Sequence, residues 1–322
     1  MKAIKISTHG DATVLKLDEV AIPTPAKGQV LIRLKAAGLN FIDIYMRVGR
    51  YTRELPFIPG LEGAGIVEAI GEGVTEVKPG DRVAYTGNIG SYAEYNVVQA
   101  WQLIPLPDEI TFEQGAAFPL QGMTAQYLLH DYYPIKPGTN VLVHAAAGGV
   151  GLLVVQWLHH LKANVIGTVS TEAKAEMVRA AGANHVINYS DQDFVEEVKK
   201  LTNNKGADYI IDGVGKSTFT KDLDAVRIYG QICIFGAASG VADPFSANIL
   251  QQKSITVSGG SLFNCLNTRE ELLKRAGDVL KGMKEGWLKL KIDHIFSLDE
   301  AAKAQQELEG RKTTGKVILK IS

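Results

Sequence analysis

The segment His144-Ala145-Ala146-Ala147-Gly148-Gly149-Val150-Gly151-Leu152 has the residue types and spacing of a phosphate-binding loop. Against the G-x-G-x-x-G fingerprint it reads Ala146-x-Gly148-x-x-Gly151, with alanine in the first glycine's place. A strand is predicted before it and a helix after it, which is the context such a loop requires. Gly148, Gly149 and Val150 would bring backbone close to a pyrophosphate, at the positive end of the helix. Gly151 would let helix and strand pack closely. The plain alternative is a glycine-rich turn of an ordinary α/β domain. About twenty residues on, an NAD site usually carries Asp or Glu for the ribose 2′-OH. Here the strand end is followed by Ser170-Thr171-Glu172-Ala173-Lys174. Two hydroxyls and the Lys174 ammonium suit a 2′-phosphate, so NADPH is expected over NADH. Glu172 is expected to point outward, and Lys174 could instead be a solvated helix lysine. Tyr45 and Tyr51 flank a short predicted helix. Each could stack on a planar substrate or donate a proton, or simply pack.

The elements around these residues fall into two rhythms. Up to about Gly122, short strand-like runs lie between Pro and Gly clusters: 1–6, 29–37, 63–70, 81–84 and 91–98, with a short helix at 40–47. This predicts a partly open antiparallel barrel. From Gly122, strands at 141–145, 164–169, 185–189, 209–212, 231–235 and 254–258 alternate with helices at 149–161, 172–181, 192–202 and 217–227. That rhythm predicts a doubly wound, six-stranded parallel sheet. The tail, with helices at 269–285 and 298–308 and a strand at 316–320, carries no βαβ rhythm and is assigned back to the first domain. The expected domains are therefore 1–122, 123–263 and 264–322, the last returning to the first.

Composition excludes several classes. The chain has 322 residues, 33 glycines, 2 cysteines and a net charge of −1. A general nucleic-acid or membrane-surface binder would show a basic excess. Cys233 and Cys265 are too few for a disulfide framework or a four-cysteine zinc lobe, and they suit a reducing cytosol. No secretory signal is apparent, and a cytoplasmic location is expected. Residues 137–161 lack any Asp, Glu, Lys or Arg, but a buried strand and buried helix explain that run better than a membrane span. His144 is expected to be packed, and His159 and His160 to partner a helix C-terminus.

Three further motifs accompany the loop: Ala36-Ala37-Gly38-Leu39-Asn40-Phe41-Ile42-Asp43, Pro59-Gly60-Leu61-Glu62-Gly63-Ala64-Gly65 and Lys78-Pro79-Gly80-Asp81-Arg82-Val83. In this order and spacing the chain resembles the medium-chain dehydrogenase/reductase superfamily. Within it, the chain is similar to the zinc-independent quinone oxidoreductases related to ζ-crystallin, over essentially its whole length. The resemblance implies a GroES-like catalytic domain and a Rossmann domain. The zinc-dependent branch has ligands where Asn40 and Leu61 stand, and a third near Leu120 or Gln121. A catalytic zinc needs about three protein ligands. None of these positions supplies one, so zinc-independent chemistry is expected.

What remains is hydride transfer from the nicotinamide C4 to a good acceptor such as a quinone, with the protein supplying position. The resemblance places Asn40, Phe41, Ile42 and Asp43 beside the nicotinamide or its ribose. Asn40 could instead cap a loop, and Asp43 could be a structural partner. Thr124 and Tyr127 match a cofactor-touching segment, Tyr189 would border the adenine, and Val214 follows the fourth strand. Gly236, Ala237, Ala238 and Ser239 follow the fifth, and Gly260, Ser261, Leu262 and Lys312 complete the set. The family often has asparagine where Ala237 stands. A homodimer is expected through the edge strand at Ser254–Ser258, which would otherwise be exposed. The competing readings are an NADPH-dependent reductase of activated C=C bonds, such as 2-alkenals or enoyl thioesters, and a non-enzymatic NADPH- or RNA-binding protein.

Overall fold

Val141, Leu142 and Val143 are buried, as are Val165, Ile166, Ile210 and Ile211. Strands apolar on both faces belong in the middle of a parallel sheet covered by helices. The computed structural model, which describes residues 1–322, places them there. Six parallel strands run in the order His185–Asn188, Asn164–Val169, Asn140–Val143, Ala207–Asp212, Val226–Ile234 and Thr256–Gly259. In chain order this is third, second, first, fourth, fifth, sixth, the doubly wound arrangement. The reversal lies where the first strand meets the fourth, so the loops after Val143 and Asp212 flank the usual ligand position of such sheets.

Helices Gly149–His160, Glu172–Ala180, Phe194–Leu201 and Phe219–Ala225 connect the first five strands. The uncharged run 137–161 is thus strand and helix, and no helix of the chain is long and apolar enough to cross a membrane. Several boundaries move for backbone reasons. The first strand stops at Val143, because Ala145 turns to a φ of 49°. The last begins at Thr256, after Ser254 at a φ of 51°. A 3-10 segment, Ala247–Gln252, stands where a helix would complete the final crossover.

A second sheet has seven strands, and Lys2–Lys5 pairs with Lys16–Glu19 in a small third one. The path of the seven-stranded sheet runs His294–Ser297, Val317–Lys320, Gln29–Leu39, Glu62–Ile70, Arg82–Thr86 and Ile104–Pro105, with Tyr95–Gln99 also pairing to Gln29–Leu39. The long Gln29–Leu39 strand shifts register twice against Glu62–Ile70, which lets it curl and serve three neighbours. Val30, Ile32, Leu34, Val67, Val83, Tyr85 and Val98 fill the core beneath.

The chain divides into two units. One comprises Met1–Gly122, Leu266–Gly277 and Leu290–Ser322; the other comprises Met123–Cys265 and Asp278–Lys289. The tail therefore does not return whole to the first unit. Trp287 packs on Trp157 and stacks on His160, at ring distances of 5.3 and 4.2 Å, which holds its segment with the parallel sheet. Nor does the tail lack βαβ rhythm. His294–Ser297 and Val317–Lys320 are parallel, with helix Ala301–Glu309 between them in sequence.

Candidate functional site

The glycine loop is built from backbone bonds. His144 N–H donates to Ile211, Ala146 N–H to Thr168 and Gly148 N–H to Ala145, at 3.1, 3.1 and 2.9 Å. Gly148 is the N-cap of helix Gly149–His160, and Gly148, Gly149 and Val150 are half-buried. The first N–H groups of a helix lack acceptors within it. A Cβ on Gly151 would stand 2.4 Å from the Ala145 carbonyl oxygen and 2.8 Å from Ala146 Cα, so this close approach admits only glycine. The left-handed residue is Ala145, one place before the alanine that replaces the fingerprint's first glycine.

At the end of strand Asn164–Val169, Ser170 is half-buried and its carbonyl accepts from Ser190. The Thr171 hydroxyl accepts from Lys174 N–H at 3.3 Å and caps helix Glu172–Ala180. Glu172 is exposed and paired with Arg179, as its outward placement requires. Lys174 lies half-buried one turn on, and Tyr189 is exposed at the end of the neighbouring strand.

Asp212 organises the ends of the fourth and fifth strands. Its Oδ1 accepts from the N–H groups of Val214 and Gly215, at 2.7 and 3.1 Å, and its Oδ2 from the Thr218 hydroxyl at 2.9 Å. Ala238 N–H reaches the Gly213 carbonyl, while Ser239 donates twice to the Val214 carbonyl. Gly236 lies so close to Gly213 that a Cβ would meet its carbonyl at 2.7 Å. Ala237 is half-buried on the same turn. Beyond the edge strand, Gly260 passes over the buried Tyr127 ring, Leu262 is buried and Ser261 exposed. Burial holds the Tyr127 phenol above its ordinary pKa. Thr124 and Tyr127 lie on helix Pro119–His130, which no sequence signal announced.

In the first unit, Asn40 opens helix Phe41–Arg47. Its N–H donates to Asp43 Oδ2 at 2.9 Å, the half of a capping box made by the third helical residue. Its side chain is committed elsewhere. Nδ2 donates to Glu62 Oε2 at 3.0 Å, and Oδ1 accepts from Lys316 Nζ at 2.8 Å. Lys316 also pairs with Glu62, whose Oε1 accepts from Leu120 N–H at 2.6 Å. All three side chains are buried. Asp43 is fully buried and accepts from the Tyr92 hydroxyl at 3.0 Å. Burial raises its pKa to about 7, against the pull of the Asn40 N–H, the Tyr92 hydroxyl and Lys316. Glu62, Lys316 and Tyr92 had no role in the sequence reading; only the placement of Glu62 within a glycine motif hinted at one.

Phe41 and Tyr45 on this helix form an aromatic cluster with Tyr51, which lies just beyond it. Tyr45 meets Phe41 at 6.3 Å and Tyr51, edge-on, at 5.8 Å, and the Arg50 guanidinium lies 4.4 Å over its ring. Tyr51 is exposed, while Phe41, Ile42 and Tyr45 are half-buried. Lys312 is exposed beyond helix Ala301–Glu309, remote in sequence from the others. No group of three or more His, Cys, Asp or Glu side chains is arranged to hold a metal ion.

The chain is similar to known proteins along nearly its whole length. Residues 26–108 match the family described as alcohol dehydrogenase GroES-like domain, and residues 149–278 that described as zinc-binding dehydrogenase. A quinone oxidoreductase of Pseudomonas aeruginosa is 42% identical over 321 residues, covering 99% of each chain. A 2-haloacrylate reductase of Burkholderia is 40% identical over 311 residues, covering 94% of this chain and 93% of the other. The crystal structure of Escherichia coli quinone oxidoreductase complexed with NADPH has a TM-score of 0.97 at 39% identity, covering 99% of this chain and 100% of that one.

Proposed function

The chain belongs to the quinone oxidoreductase family of the medium-chain dehydrogenases/reductases, and from that premise we propose that it is an NADPH:quinone oxidoreductase. The observation that carries the cofactor assignment is the end of strand Asn164–Val169. Ser170, Thr171 and Lys174 stand there, and the acid among them, Glu172, is turned to Arg179. The half-buried Gly148–Val150 backbone fits a pyrophosphate, and Val214, Gly236, Ala237, Ala238 and Ser239 line the opposite strand ends. Bound NADPH supplies a hydride from nicotinamide C4. With one proton from solvent or a side chain, a quinone becomes a hydroquinone.

Tyr45 and Tyr51 offer the acceptor an aromatic face, and Arg50 holds the Tyr45 ring in place. In this reading the Tyr51 hydroxyl, exposed and edge-on to Tyr45, gives a proton to a reduced oxygen. Asn40 acts as a fixed wall, since both ends of its amide are engaged by Glu62 and Lys316. Asp43 acts behind it, as the partner that sets the helix start. The positions that hold zinc in other branches carry Asn40 and Leu61, so this hydride transfer runs without zinc.

The 2-haloacrylate reductase relative supports a second reading, reduction of an activated C=C bond by the same hydride. Steady-state turnover of a benzoquinone, a naphthoquinone, a 2-haloacrylate and a 2-alkenal with NADPH separates the two. Turnover of the quinones is expected. Turnover of the alkenes alone would replace the first reading with the second.

The outermost Thr256–Gly259 strand is the edge through which a second copy would extend the sheet, giving a homodimer. Light scattering on the purified protein checks this. The two free cysteines fit a cytoplasmic location.

A further inference from the structure

His144 is buried directly beneath the glycine loop, and both its ring nitrogens are engaged. Nδ1 lies 2.9 Å from Thr168 Oγ1, and Nε2 lies 2.8 Å from Asp222 Oδ1. The ring edge meets Phe194 at 4.9 Å. Thr168 grips the loop on both sides of Ala145. Its hydroxyl meets the His144 ring, and its carbonyl accepts the Ala146 N–H. Two residues further, the same strand delivers Ser170. Asp222, on helix Phe219–Ala225, faces Asp212, whose oxygens hold the turn at Val214 and Gly215. One buried network therefore reaches three segments: Gly148–Val150, Ser170–Lys174 and Val214–Gly215.

We infer that His144 is a positioning residue for the dinucleotide, the hub of a buried brace with Thr168, Asp222 and Asp212 that fixes these three segments together. The inference rests on the dinucleotide reading of the loop, and it adds residues that never touch the ligand. No lysine or arginine enters the brace. Lys221, beside Asp222 on the helix, pairs with Asp193. Burial alone would lower the His144 pKa, but the Asp222 charge and hydrogen bond outweigh it and raise it. Burial pushes Asp222 up to about 7, against the pull of His144, and Asp212 pushes the same way. Each proton gained makes the brace less negative beneath an anionic ligand, so binding tightens as pH falls.

The test is the dissociation constant of NADPH for the full chain, read by fluorescence between pH 6 and 8.5. Melting temperature is followed in parallel. Thr168→Val removes one hydroxyl and keeps the carbonyl bond to Ala146. It is expected to weaken NADPH about five- to tenfold, the worth of one hydrogen bond. His144→Phe is expected to weaken it further and to change the pH dependence from that of the wild type, since Asp222 loses its imidazole partner. His144→Gln, which can still donate and accept, is expected to recover affinity at pH 7 but not the steeper pH profile. Should Thr168→Val and His144→Phe melt earlier yet bind NADPH within twofold of the wild type at every pH, the brace is packing and nothing more. Thr168→Val carries the test alone if the histidine variants do not fold. Wild-type protein that bound no NADPH would overturn the dinucleotide reading, and the positioning role with it.

Discussion

Lys316 places its ammonium 2.8 Å from the Asn40 amide oxygen, across 276 residues of sequence. The same ammonium pairs with Glu62, which in turn holds the other end of the amide. A buried ion pair is poor evidence of stability by itself, but removing one partner strands a charge. Lys316→Met is therefore expected to lower unfolding stability by about 3–5 kcal/mol. The double variant Glu62→Gln/Lys316→Met is expected to recover most of it. Denaturant unfolding of the single and double variants measures both. Additive losses would mean that the two side chains are not coupled.

Lys174→Ala is expected to raise the NADPH dissociation constant about tenfold while changing that for NADH less than twofold, as loss of one charge-assisted contact to the 2′-phosphate requires. Equal weakening of both cofactors would remove Lys174 from the phosphate site. Parallel titrations at fixed salt decide it.

Gly151→Ala is expected to cost about 1–3 kcal/mol of stability and to weaken NADPH, because the new methyl would collide with backbone atoms of Ala145 and Ala146. Gly148→Ala meets only the Ala145 carbonyl, at 3.2 Å, and is expected to be milder in melting temperature. Equal melting losses would show that the crowding at Gly151 can relax.

Asp43 predicts a pH dependence of opposite sign to the common one. Its folded pKa of about 7 lies above the ordinary value of 3.8, so the folded state binds the extra proton. Its contribution is then fully favourable below about pH 4 and is lost as pH rises through 7. A shift of this size corresponds to roughly 4 kcal/mol between the protonation states. Asp43→Asn is expected to lose less melting temperature than the wild type between pH 5.5 and pH 8, with the remainder due to other buried groups such as Asp222. An equal loss in the variant would assign the effect to another group.

Exposed Tyr51 sits edge-on to Tyr45. Tyr51→Phe keeps the ring and removes the hydroxyl. It is expected to lower kcat about tenfold or more with quinones, leaving KM within twofold, as loss of a proton donor would. A change confined to KM would make the hydroxyl a binding contact.

Much of this architecture is legible in the chain because local pattern and final fold agree. The apolar runs at 141–143, 164–169 and 209–212 become inner strands of the sheet, and the glycine loop falls between strand and helix as its spacing requires. Helix Pro119–His130 was not legible, because Met123, Ala125, Tyr127 and Leu128 are buried around much of its circumference and leave no polar face to set a period. Strand His294–Ser297 is short and partly exposed. The partners of Asn40 and His144 were hidden for another reason. Lys316 and Asp222 are ordinary residues locally, and only the folded chain brings them to their partners.

The left-handed turn at Ala145 bears on how a ligand would be received. Glycine would adopt that conformation at little cost, and it would also leave the turn many others. Alanine costs about 1 kcal/mol there, yet restricts the alternatives. Clasped by Thr168 on either side, the loop has surrendered its freedom during folding, before any dinucleotide arrives. The entropy lost on association then falls mainly on the ligand, and the protein meets it preorganised.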